Sequence, residues 1–424
     1  MTPACYTVAD GVTFLSIKDD RFTTARITVN LYAPLCEETA GTYAMLPFML
    51  RRGSRRFADT TAFHRALDRL YGAVIDGSVS ASGETQILTM SMSCIDDRFA
   101  LQNEEVAASC ASLLLETLFD PPLENGVFRS EDLEEERRCT LESIAAQIND
   151  KRSYAAIRCK EIMCEGEPYA VSKYGTEERV KAVTAESLTD AWKALLKAAP
   201  MRIIYQGSGN GEAVREAFAK RLADRAVQEL PPVTLKAARE PAVRNTETMD
   251  VNQCQLVMGL RTEIAGEHPL GDAMRLACAL LGGTPHSLLF MNVREKHSLC
   301  YYCAARYYRQ KGVLMIDSGV EEASLQKAEE EILRQLEDLK NDRFTDEDLE
   351  HARLSILDSL MGADDSAAQT AAWYGAEGPY EFRTPAEVAD GIRKVTRDEV
   401  IAAANTVMLD TVYSLIPEKK EGAQ

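Results

Sequence analysis

Leu289-Phe-Met-Asn-Val-Arg-Glu-Lys-His-Ser-Leu-Cys-Tyr-Tyr302 is the stretch of this 424-residue chain from which the rest is best read. It leaves a helix and enters a strand, with Arg294 at the end of the helix and Tyr301 on the strand. Taken as residues alone, Val293, Leu299 and Tyr302 are ordinary core positions, and Arg294 and Glu295 form a solvated surface. A guanidinium and a phenol can also both donate to a peptide carbonyl. Cys300 and Cys303 look like half of a zinc or redox motif. A regular strand puts residues three apart on opposite faces, however, and no second Cys-x-x-Cys accompanies them, so no metal is expected there.

The strand pair that opens here, Leu299 to Gly319, alternates with period two, and a similar pair runs from Gly77 to Ser93. Each follows a strand and a helix: Arg26 to Ala33 then Thr39 to Arg52, and Gln253 to Arg261 then Pro269 to Leu281. Further on, Glu178 to Leu188 resembles Asp390 to Val400 in pattern. Val183-Thr184 and Val395-Thr396 lie half a chain length apart, and in both copies the Thr can cap a helix. Strands Met201 to Tyr205 and Thr411 to Ile416 come next. The chain therefore reads as an internal duplication, with domains 1–228 and 249–424 joined by a linker, 229–248, of polyproline character around Pro231, Pro232 and Pro241. Each half runs strands first and long helices after, such as Leu133 to Glu165 and Leu325 to Lys340. The expected class is α+β, one antiparallel sheet packed with helices in each half.

The run Arg294-Glu-Lys-x-x-Leu-x-Tyr301 resembles the substrate-binding segment of the insulinase/pitrilysin/mitochondrial-processing-peptidase family of zinc peptidases. The resemblance implies a metallopeptidase fold whose halves face each other like a clam shell. It assigns peptide binding to Arg294 and Tyr301, and to a sheet edge at Asp76, Gly77 and Ser78. Family members carry His-x-x-Glu-His on the first helix. Aligning Gly53-Ser54 with the family's Gly-Thr puts Ala44 and Phe48 at the two His positions and Pro47 at the Glu. Counting on from Glu136-Arg137 puts Ser143 at the third ligand, with Glu142 adjacent. Ala, Phe and Pro can neither hold zinc nor act as base toward metal-bound water, and Pro47 should kink the helix. The histidines are His64, His268, His286, His297 and His351, none three to five apart. No cofactor is expected on this chain, and zinc only on a partner. The runs Asp68-Arg-Leu-Tyr-Gly-Ala73 and Asn149-Asp-Lys-Arg-Ser-Tyr-Ala155 resemble a zinc-free bacterial branch, which includes proteins named for association with the 5-aminopentanol modification of elongation factor P. The implied function is that of a pseudo-peptidase subunit, with a zinc-bearing sister subunit and a peptide or unfolded polypeptide as partners. The alternative is a peptide-binding or assembly protein with no proteolytic role.

A net charge of −18 argues against nucleic acid and anionic membranes as partners. No apolar window approaches a membrane span, and the start, Met1-Thr-Pro-Ala-Cys-Tyr, lacks the basic and apolar runs of a secretory signal, so a cytoplasmic location is expected. Eleven cysteines, an odd number without framework spacing, fit reduced thiols. The arginines of Arg51-Arg-Gly-Ser-Arg-Arg56 complement a helix C-terminus, and the acidic run Glu131 to Glu136 reads as a solvated helix start. Gly207-Ser-Gly-Asn-Gly211 reads as a flexible turn rather than a phosphate cradle, because Glu212 would oppose the charge. No Ser-His-Asp or Cys-His constellation stands out.

Overall fold

The computed structural model describes residues 2–222 and 225–418. In chain order its strands are β1 (Ala4–Ala9), β2 (Val12–Lys18), β3 (Thr24–Pro34), β4 (Val74–Ser82), β5 (Thr85–Ile95), β6 (Leu123–Glu124), β7 (Val127–Phe128), β8 (Met201–Gly207), β9 (Val243–Met249), β10 (Cys254–Arg261), β11 (Cys300–Tyr308), β12 (Val313–Val320) and β13 (Met408–Pro417). The large sheets are ordered β1-β2-β8-β3-β5-β4 and β11-β12-β10-β13-β9. Without β1, the two sheets have the same topology. The first strand of each pairs in parallel with the last, the last pairs with the second, the second with the fourth, and the fourth with the third. The α+β duplication read from the sequence is therefore present. Each sheet is mixed rather than wholly antiparallel, because its last strand returns through helices to lie alongside its first. The duplicated Thr residues do cap: Thr184 and Thr396 each form a reciprocal capping box, with Ser187 and Glu399.

The chain divides into two compact units that cut across the sequential halves 1–228 and 249–424. The first comprises Met1–Ala145, Val171–Pro232 and Ala363–Thr384, and the second Ala146–Ala170, Val233–Gly362 and Pro385–Gln424. Each half thus gives a helix to the unit built mainly from the other. In the first unit, helix Ala367–Ala376 lies on the sheet face presented by β2 and β8, where Ala371 and Tyr374 pack with Leu15, Ile17 and Ile204. Its carbonyls are tied down: Tyr32 Oη donates to Gly375 O at 2.9 Å, and the buried Arg202 donates to Tyr374 O at 2.9 Å. In the second unit, helix Lys151–Met163 lies on β10, β12 and β13, with Ala155, Cys159 and Met163 against Val257, Met315 and Tyr413. Gly259 permits that approach, since a Cβ there would lie 2.6 Å from Met163 Sδ.

The reading of Leu133 to Glu165 as one helix needs correction. Ser130–Ala146 and Lys151–Met163 are separate helices, because the Asp150 carboxylate accepts from the N–H groups of Arg152 and Ser153 and starts the second. The segment 229–248 is not linker throughout either, since its end is strand β9, parallel to β13. Residues 223–224 and 419–424, within the halves as read from sequence, lie outside the described residues. Among the described residues, no helix is long and apolar enough to cross a membrane.

Candidate functional site

The first helix, Glu37–Leu50, runs through Pro47 to its end, and Arg51 N–H donates to Pro47 O at 3.2 Å. At the zinc-motif positions, Ala44 and Pro47 are buried, and Phe48 lies beneath the Arg51 guanidinium at 5.2 Å. None offers a lone pair to a cation. Ser143 is exposed and donates its hydroxyl to Cys139 O, one turn back on its own helix, at 2.8 Å. These residues do not fit the zinc of the family. Among the described residues, no group of three or more His, Cys, Asp or Glu could hold a metal. His286 and His351, distant in sequence, stack with ring centroids 5.0 Å apart.

Asp76, Gly77 and Ser78 lie on β4, one of the two edge strands of the first sheet, which among the described residues pairs with β5 alone. Period-two alternation buries Gly77 and Val79 and exposes Asp76, Ser78 and Ser80. The Asp76 carboxylate lies 3.6 Å from Arg51 and accepts the Gly77 N–H at 2.8 Å. Ser78 and Ser80 line a cleft of about 420 Å³ with Arg26, Thr28 and Asn30 of β3 and one face of helix Ala367–Ala376.

Arg294 and Tyr301 meet at a second cleft, of about 410 Å³. Helix Leu289–Lys296 is wound as a π-helix and carries Arg294 over the Phe290 ring at 4.6 Å, with Glu295 3.7 Å away. Tyr301 is a bulge residue: Cys300 faces Val320 and Tyr302 faces Gly319, so Tyr301 has no opposite number and is 61% exposed. Its hydroxyl donates to Glu321 Oε1 at 3.1 Å, and that hydrogen bond holds the phenol pKa above its usual value. β11 is an edge strand of the second sheet and the topological counterpart of β4. Both sets of residues singled out for peptide contact therefore lie on equivalent edges, each within its own unit.

The bulge overturns one reading. With an extra residue between them, Cys300 and Cys303 lie on the same face of β11, both packed into the core of the second unit. Tyr302 takes the opposite face, beneath the Arg152 guanidinium at 4.0 Å. The acidic run is also more than a solvated helix start. Arg52 reaches Asp132, Glu135 and Glu136 at 2.8–2.9 Å, and Glu136 is buried. In the glycine-rich turn, Ser208 N–H donates to Asp96 at 2.8 Å and Asn210 caps the helix that follows.

The chain thus combines duplicated units, each with a matching sheet, with a first helix that carries no metal donors at Ala44, Pro47 and Phe48. The family model described as Peptidase M16 inactive domain matches residues 182–356. A probable inactive metalloprotease of Bacillus subtilis, YmfF, is 28% identical over 408 residues, 96% of each chain. Among solved structures, a conserved protein from Enterococcus faecalis superposes with a TM-score of 0.89 at 22% identity, and a peptidase M16 inactive domain from Pseudomonas fluorescens with 0.77 at 17%; both matches cover 100% of each chain. Over residues 182–356 in sequence, and over its whole length in fold, the chain is similar to insulinase-type (M16) peptidases, among them proteins named as inactive.

Proposed function

We propose that this chain is the zinc-free subunit of a heterodimeric insulinase-type peptidase, working in the cytoplasm. Arg294 and Tyr301 hold peptide carbonyls while a zinc-bearing sister subunit supplies the metal-activated water. The observation that carries this reading is the shared cleft, where a guanidinium and a bulged, exposed phenol face the same opening, the phenol turning from Glu321 to donate to a peptide. Such donors fix a scissile carbonyl and leave attack to a metal on another chain. Edge strands at Asp76 to Ser78 and at Tyr301 could each accept an extended peptide through backbone hydrogen bonds, which suits an unfolded substrate of little sequence preference. A link to elongation factor P modification rests on the resemblance of Asp68 to Ala73 and Asn149 to Ala155.

The test is peptide cleavage by the chain co-purified with its sister. Arg294→Ala is expected to lower kcat/KM roughly hundredfold, as for loss of an oxyanion donor, with the complex intact. Unchanged turnover in an intact complex would favour the alternative, a peptide-binding or assembly protein.

A further inference from the structure

The bulge that exposes Tyr301 also builds a pair of thiols. Cys300 faces Val320 and Cys303 faces Ser318, so the two cysteines are spaced along the strand like residues two apart, about 6.6 Å between Cα atoms. In a regular strand three steps would separate them by roughly 10 Å, beyond the reach of a disulfide. A spacing of about 6.6 Å falls within the range of about 4.4–6.8 Å that disulfides span. Their side chains share a face. Cys300 lines the open cleft beside Arg294 and Tyr301, whereas Cys303 is buried behind it.

We propose that Cys300 and Cys303 form a peroxide-reactive dithiol, with Cys300 as the attacking thiol and Cys303 as the resolving one. The Cys300 thiolate attacks one oxygen of a hydroperoxide; its S–O bond forms as the O–O bond breaks, giving a sulfenic acid and, from hydrogen peroxide, hydroxide. The Cys303 sulfur then displaces that oxygen, its proton leaves in the water released, and an S–S bond closes across Tyr301. One peroxide is reduced and two thiols are oxidised, so the electrons balance. The surroundings favour this division of roles. The hydrogen bond from Cys303, with help from Ser318 and Arg294, pulls the Cys300 pKa down to about 7. The same hydrogen bond and burial push Cys303 well above the usual thiol range. The disulfide would border an open cleft, where a reducing thiol can reach it and reverse the reaction. Cys94 and Cys110 are a contrasting pair, both buried in the core of the first unit. The chemistry stands independently of the peptide-holding role proposed for the cleft.

The experiment treats the folded full-length chain with hydrogen peroxide, quenches, unfolds and alkylates, and reads each cysteine by peptide mass. The peptide containing Cys300 and Cys303 is expected to lose both alkylation sites together, at a dose that leaves the exposed Cys5 alkylatable, and to regain both with dithiothreitol. Cys303→Ser is expected to stop at a Cys300 sulfenic acid that dimedone traps, and Cys300→Ser to leave Cys303 reduced. Oxidation of Cys5 ahead of Cys300, or oxidation of Cys300 with Cys303 still alkylatable, would overturn the proposal in the wild-type chain without recourse to either variant.

Discussion

A Cβ added at Gly77 would lie 2.5 Å from Pro47 O and 2.8 Å from Pro47 C. These are backbone atoms and cannot swing away as a side-chain end would, so edge strand β4 and helix Glu37–Leu50 would have to part. Gly77→Ala is expected to cost about 1–3 kcal/mol, the range of overpacking in a well-filled core. Ser78→Ala, one residue on and exposed, is expected to be nearly neutral. Thermal unfolding of the two variants checks the contrast, and equal midpoints would mean that the approach is not tight. The same locality explains what could be read in advance about the site. Arg294 and Tyr301 are visible as a spacing pattern, and Ala44, Pro47 and Phe48 as missing ligands, because identity and interval are local properties. The bulge at Tyr301 is not, since it exists only in the register of β11 against β12. Without it, Cys300 and Cys303 are assigned to opposite faces.

At the scale of elements, helix Lys151–Met163 and the turn after it are fastened to the second unit by buried charge. Glu167 accepts from Arg261 at 2.7 Å and Lys311 at 2.6 Å, and Asp410 accepts from Arg239 at 2.6 Å and Arg261 at 3.0 Å. Burial alone would raise both carboxyl pKa values, but the hydrogen bonds from these cations outweigh it and hold both below their usual range. A depressed folded-state pKa contributes stability that is present above the unfolded value and lost as pH falls through the folded one. Urea midpoints are therefore expected to hold from about pH 7 to 5 and to drop below about pH 4, where unfolded carboxyls begin to take up protons. Glu167→Gln takes the buried carboxylate away from Lys311 and leaves Arg261 with Asp410 as its anion. It is expected to cost about 3–5 kcal/mol at pH 7 and to make the acid decline shallower. A variant as acid-sensitive as the native chain would rule out this network as the cause. Most elements were legible from period-two alternation and capping threonines. β9 was not, because Val243-Arg-Asn-Thr-Glu-Thr-Met249 is polar at five of its seven positions and becomes a strand through parallel pairing with the distant β13.

At the scale of the whole molecule, the duplication and the shared topology followed from repeated patterns, but the boundaries of the compact units did not. A helix's apolar face shows that it packs, not which sheet it packs on. Tyr374 belongs by sequence to the second half, yet it is buried with Leu15, Ile17 and Ile204 of the first unit. Lys151–Met163 belongs to the first half, yet it covers β10 and β13 of the second unit. A chain cut at the apparent linker would thus leave each sheet without one of its helices. Residues 1–228 alone would expose the apolar face of β2 and β8 and leave the buried Arg202 guanidinium without the Tyr374 carbonyl it now meets. Residues 249–424 alone would lose Met163 from the space that Gly259 keeps open, and Glu167 from between Arg261 and Lys311. Each uncovered face is a large apolar patch of the kind that drives aggregation. The halves are therefore expected to be insoluble or molten when made singly, and to give a soluble, cooperatively unfolding complex when co-expressed. Solubility and the near-ultraviolet dichroism of each preparation check this. A half that folds alone with native-like tertiary signal would show that the exchanged helix is dispensable.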